Sequence, residues 1–174
     1  MNKTQSTTTS QLRRGGLVLT CLVVLPVLLG LLAGCAKNVA PGGEKVEVEW
    51  LTDFSAAKRE AAEKQRPILI DFSGSDWCGW CIKLENEVFS QPAFVNYATN
   101  NLVLFLADFP RSKPQPDEIV AQNRQLSEAY GVQGFPTVLL VDEKGKELAR
   151  TGYLRGGAEA YVKHLQSLLP APQK

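Results

Sequence analysis

Two cysteines, Cys78 and Cys81, stand two residues apart in the run Ser73-Gly74-Ser75-Asp76-Trp77-Cys78-Gly79-Trp80-Cys81. The preceding Ile68-Leu69-Ile70-Asp71-Phe72 has the length and apolar content of a buried central strand. Gly79 to about Phe89 reads as a helix. A Cys-x-x-Cys at such a strand-to-helix junction has a defined chemistry. Free N–H groups and the dipole at a helix start stabilise a thiolate. The three-residue offset brings the second sulfur within bridging reach of the first. Cys78 is therefore expected to be the exposed nucleophile and Cys81, one turn in, the buried resolving thiol. A closed zinc site needs four nitrogen or sulfur ligands, yet the sole histidine, His164, is remote and the sole methionine is Met1. No metal is expected, and the two thiols are left for redox chemistry or for a passive bridge.

The elements that must hold this pair can be read along the chain. Val46-Glu47-Val48-Glu49-Trp50 alternates apolar and acidic residues, the period of an edge strand. Asp53 or Ser55 can cap a helix running to about Gln65. Gln91–Thr99 reads as a short helix and Leu102–Ala107 as another buried strand. Phe109–Pro116 contains three prolines and reads as an inserted loop, before a helix over Asp117–Tyr130 that Gly131 ends. Thr137–Val141 and Glu147–Thr151 form a hairpin around Glu143-Lys144-Gly145-Lys146, and Ala158–Leu169 is the last helix. Alternation that ends in a hairpin and a helix implies an α/β fold, a mixed central sheet with helices on both faces.

The N-terminus has another character. Met1–Gly34 carries Lys3, Arg13 and Arg14 and no acid, leaving 16 basic and 18 acidic residues for the rest. Such a nearly neutral body offers no footprint for nucleic acid. With 44% hydrophobic and 21% charged residues, the composition is that of a folded protein. Leu17–Leu32 is an apolar run after the basic pair, the pattern of a signal peptide. It is shorter than the roughly 20 residues that a membrane span needs. Leu32-Ala33-Gly34-Cys35 resembles the lipobox of bacterial lipoproteins. The resemblance implies that residues 1–34 are removed and that Cys35 is lipidated, with two or three acyl chains anchoring the protein to a membrane of the cell envelope. Residues 35–45, with Pro41-Gly42-Gly43, read as a flexible tether, 46–170 as the folded domain and 171–174 as a tail. An uncleaved anchor helix and an ordinary secretory cleavage near Ala33 are the alternatives.

Four blocks in order resemble the thioredoxin superfamily over roughly Val46–Leu169: Ile70-Asp71-Phe72, Trp77-Cys78-Gly79-Trp80-Cys81, Tyr130-Gly131-Val132-Gln133-Gly134-Phe135-Pro136-Thr137, and Gly152. The run Ser73–Cys78 is most similar to extracytoplasmic thioredoxin-like proteins and to the C-terminal domain of the DsbD reductases. The resemblance implies a cis Pro136 facing the cysteine pair. It also implies a Phe135 backbone open to strand-like pairing with a bound polypeptide, and an apolar substrate groove lined by Trp77, Gly79, Trp80, Phe135 and Gly152. Two departures stand out. Trp80 replaces the thioredoxin proline, and no lysine in Leu102–Ala107 partners Asp71. Asp71 is therefore read either as the proton acceptor for Cys81 or as a structural or partly solvated carboxylate, with Asp76 and Glu85 as rival acids.

The activity so implied is thiol–disulfide exchange that reduces or isomerises protein disulfides, with no cofactor beyond the cysteine pair. A membrane-associated thiol donor would resupply electrons to a protein outside the cytoplasm. Gly79 and Trp80 bring no charge and Asp76 opposes a thiolate. A reducing or intermediate couple is thus expected, nearer about −270 than about −120 mV. Two other readings stay open: a binding module with a structural disulfide, and a reductase dedicated to cytochrome maturation.

Overall fold

The computed structural model describes residues 48–169. The expected signal peptide, Cys35, the tether, the start of the edge strand (Val46 and Glu47) and the C-terminal tail lie outside the described residues. Asp53 caps the first helix, α1 (Phe54–Lys64), by accepting the N–H of Ser55 at 2.8 Å. Gln65 closes it in the left-handed conformation at φ 51°, and Pro67 leads into β1 (Ile68–Ser73). There follow α2 (Gly79–Leu84), a π-helical turn (Glu85–Phe89), α3 (Pro92–Asn101) and β2 (Val103–Asp108). The chain ends with α4 (Asp117–Ala129), β3 (Thr137–Val141), β4 (Glu147–Thr151) and α5 (Gly157–Leu168).

The strands form one sheet in the order β2-β1-β3-β4. β1 runs parallel to β2 and antiparallel to β3, and β4 is antiparallel to β3 at the edge. β1 is buried along its whole length, so both of its faces must be covered. Ile68, Ile70 and Phe72 join Val103, Phe105, Leu139 and Val141 in a core closed by Ala57 and Ala61 of α1 and by Leu126 of α4. Leu69 lies on the other face, with Leu104, Leu140, Leu84, Val88, Phe94, Tyr161 and Leu165. The mixed sheet covered on both faces is the architecture expected. Strand alternation puts Asp71 and Ser73 on the same face as Leu69, under α2.

Two expectations need correction. Val48–Trp50 is not a strand. The chain meets the sheet at Leu51, whose N–H bonds to Leu104 O and whose C=O accepts Leu106 N–H, both at 2.9 Å. Trp50 instead packs against the Phe89 ring, with centroids 5.1 Å apart. The helix expected over Gly79–Phe89 is α-helical for six residues and then widens into the π turn. His164, expected at the surface or in packing, meets Thr151 Oγ1 through Nε2 at 2.9 Å and ties α5 to β4.

Candidate active site

Cys78 is the N-cap of α2, in an extended conformation at φ −84° and ψ 103°. It is disulfide-bonded to Cys81 with Cα atoms 5.2 Å apart. Its sulfur also accepts the Cys81 N–H at 3.2 Å, and its carbonyl takes the N–H groups of Cys81 and Ile82. The junction of β1 and α2 thus aims a first-turn N–H, that of Cys81, at the Cys78 sulfur, where charge develops when the bridge opens. The expected contrast in exposure is small in this oxidised form: Cys78 is 7% exposed and Cys81 3%. Both residues lie among the buried side chains, so Cys78 is not the exposed member that the helix-start position suggested.

The turn before Cys78 is held by hydrogen bonds to the segment after β2. Asp108 accepts from Ser75 N at 2.9 Å and from Ser75 Oγ at 2.6 Å. Trp77 Nε1 donates to Phe109 O at 2.7 Å, and Phe109 N donates to Ser73 O at 2.8 Å. Asp76 accepts from Arg111 N at 3.0 Å and from Ser112 N at 2.7 Å. These two backbone donors hold its carboxyl below the usual range. Asp76 is therefore an anion committed to the loop and not an acid serving Cys81. Gly74 is needed because a Cβ there would stand 2.5 Å from Trp77 Cε2.

The Phe135–Pro136 bond is cis. Trp77, next to Cys78, meets Phe135 edge to face at 5.9 Å, and Phe135 stacks on Phe109 at 5.0 Å. This brings the proline loop beside the cysteine turn. A Cβ on Gly152 would stand 3.1 Å from Pro136 O, so the glycine permits a close backbone approach. Trp80, half exposed, is not part of that aromatic group. It meets Tyr153 at 5.2 Å, with Lys83 Nζ 5.4 Å from both rings. Gly79 has open space around its Cβ position. The expected single apolar groove is thus two aromatic clusters. Phe109, Arg111, Lys83 and Tyr153 were not anticipated. Tyr153 follows the glycine already singled out, whereas nothing in the loop sequence marks Arg111.

Below Cys81 lies a cavity of about 340 Å³ lined by Trp50, Asp71, Ser73, Cys81, Glu85 and Leu106, among others. Asp71 is almost wholly buried, and its Oδ1 has no hydrogen-bond partner. Burial first, then the negative charge of Glu85, pushes its carboxyl up from 3.8 to about 7. The Ser73 hydroxyl opposes that rise and Asp108 adds to it. The cavity brings together Cys81, Asp71 and Glu85. Glu85 itself is exposed, so the space reaches solvent. Among the described residues no group of three or more His, Cys, Asp or Glu could hold a metal ion.

A cysteine couple at the mouth of the helix that follows a central β1, in a mixed sheet, is the arrangement of thioredoxin-like proteins. The chain belongs to that family: the model described as a thioredoxin-like domain matches residues 54–168. The chain is 34% identical to the disulfide bond reductase DsbH of Chlamydia pneumoniae, over 82% of this chain and 90% of the relative. A solved DsbH oxidoreductase superposes with a TM-score of 0.67 at 35% identity, over 70% of this chain and 84% of that one. The thiol:disulfide interchange protein DsbD of Pectobacterium atrosepticum is 29% identical over 78% of this chain, which spans only 20% of that longer protein. A Thermus thermophilus thioredoxin shares the fold, with a TM-score of 0.52 at 18% identity over 70% of this chain and 86% of that one.

Proposed function

We propose that this protein is an extracytoplasmic thiol–disulfide oxidoreductase, anchored to a membrane through Cys35, that reduces disulfides in other proteins. One arrangement carries the reading: the Cys78–Cys81 couple on the helix start, with Asp71 in the cavity beneath Cys81. In the dithiol form the Cys78 thiolate attacks a substrate disulfide, forming a Cys78–substrate bridge and releasing one substrate thiolate. Asp71, as carboxylate, accepts the Cys81 proton. The Cys81 thiolate then attacks the Cys78 sulfur, restoring the intramolecular disulfide and releasing the second substrate thiolate. The substrate gains two electrons and the protein loses two. A thiol donor in the membrane returns the couple to its reduced form. A carboxyl that titrates near 7 can take and return a proton at ambient pH. No cofactor takes part.

The relatives named disulfide bond reductase and thiol:disulfide interchange protein support the chemistry, and the uncharged Gly79-Trp80 pair supports the reducing direction. The test is a pair of serine variants. Cys78→Ser is expected to abolish insulin reduction. Cys81→Ser is expected to keep the first attack and accumulate mixed disulfides that dithiothreitol releases. If Cys81→Ser trapped nothing and the wild-type couple resisted mild reductant, the bridge would be structural and the proposal wrong. Anchoring through Cys35 predicts that Cys35→Ala moves the protein from the membrane fraction to the soluble one.

A further inference from the structure

Building on the reductase reading, we propose that Arg111 sets substrate preference by receiving a carboxylate that neighbours the substrate's disulfide cysteine. Arg111 lies in the loop 109–116, and its guanidinium carbon stands 3.8 Å from the Trp77 ring centroid. Trp77 is the residue before Cys78. A planar guanidinium laid on an indole keeps its N–H edges available for a bidentate bond to a carboxylate. The side chain is exposed, and among the described residues it makes no ion pair. The nearby acid, Asp76, directs its oxygens to the backbone N–H groups of Arg111 and Ser112. The opposite aromatic cluster differs, because there Lys83 is paired with Glu87 at 3.6 Å.

The position of Arg111 is prepared in advance. Its own N–H is tied to Asp76, and the loop is fastened to the cysteine turn through Trp77 Nε1 and Phe109 O. A carboxylate arriving there orders little that is not already ordered, which favours binding. In a mixed disulfide the substrate cysteine hangs on the Cys78 sulfur, so the residues beside that cysteine are the ones that pass Trp77 and Arg111. An Asp or Glu among them is the polypeptide group that matches.

The test uses the full chain and two disulfide-linked peptides identical except for Asp or Asn next to the reactive cysteine. The Asp peptide should show a kcat/KM about fivefold higher at low salt, the order expected of a well-placed surface ion pair. The preference should shrink as salt is raised. Arg111→Gln should bring the ratio of the two peptides to about one, and Arg111→Lys should retain part of it. A wild-type ratio near one, a ratio insensitive to salt, or an unchanged ratio in Arg111→Gln overturns the assignment. Salt dependence of the wild type decides the matter even if the variants fold poorly. Equal turnover of both peptides refutes this inference alone, whereas no turnover of either refutes the reductase reading beneath it.

Discussion

Replacing Asp71 with Asn removes a buried charge while keeping the shape of the side chain and the cavity around it. In the folded, oxidised protein burial pushes the Asp71 carboxyl up to about 7, from 3.8 for an unperturbed aspartate. Below the lower value the group is protonated in both states and does not affect folding. Between the two values the folded chain holds a proton that the unfolded chain has lost, so stability falls as pH rises. The decline ends above about pH 7, where both states are ionised and the full cost of the buried charge is present. At about 1.4 kcal/mol per pH unit, the rise amounts to roughly 4 kcal/mol. Other carboxylates add their own pH dependence, but they are common to both proteins and cancel in the comparison. Urea unfolding of the oxidised wild type and Asp71→Asn should therefore give curves that diverge, the variant gaining about 1.4 kcal/mol per unit between about pH 5 and about 6.5. Parallel curves over pH 5–8 would refute the assignment of a burial-raised carboxyl. The same variant should also flatten the rise with pH of the step in which Cys81 attacks Cys78.

Two glycines give further tests. Gly152→Val places a branched side chain where even a Cβ stands 3.1 Å from Pro136 O. It should cost about 1–3 kcal/mol in thermal or urea unfolding and slow insulin reduction several-fold by shifting the proline loop. A normal rate would mean that the loop position is irrelevant to exchange. Gly74→Ala drives a methyl to 2.5 Å from the Trp77 ring. It should also cost about 1–3 kcal/mol, break the indole bond to Phe109 O and change the Trp77 fluorescence. Unchanged emission would show that the indole is not held as described.

Which parts of this arrangement were legible follows from how local their causes are. β1 and β2 declared themselves as apolar runs because both are buried on a mixed sheet, and the Asp53 cap needed only its own side chain and the next turn. The cysteine pair was readable because spacing and placement suffice to define a helix-start couple. The edge strand failed for a physical reason: alternation over Val46–Trp50 reports which side chains are apolar, not which backbone group reaches the neighbouring strand. Leu51 makes both bonds to β2, while Trp50 goes to Phe89. The π turn was likewise hidden, since helix propensity does not distinguish the two ladders.

What could not be read depends on residues some 35 positions apart. Asp76 looked like a free acid beside the thiolate until the loop after β2 supplied the backbone donors that occupy it. The segment Phe109–Pro116, with its prolines, read as a mere insertion, yet it forms one wall of the cysteine turn. Asp71 shows the same dependence on distant contacts. Its place in an apolar strand marked it as unusual, but not whether it was sealed or reachable. Burial and Glu85 hold the Asp71 carboxyl protonated in acid, while the cavity it lines also carries the exposed Glu85 and Asn86. A fully sealed carboxyl could not exchange a proton on each turnover, and a fully hydrated one would stay ionised near neutral pH. A carboxyl poised between these limits suits the proton-acceptor role proposed for Asp71, and Asp71→Asn tests that role through the pH dependence of the Cys81 step.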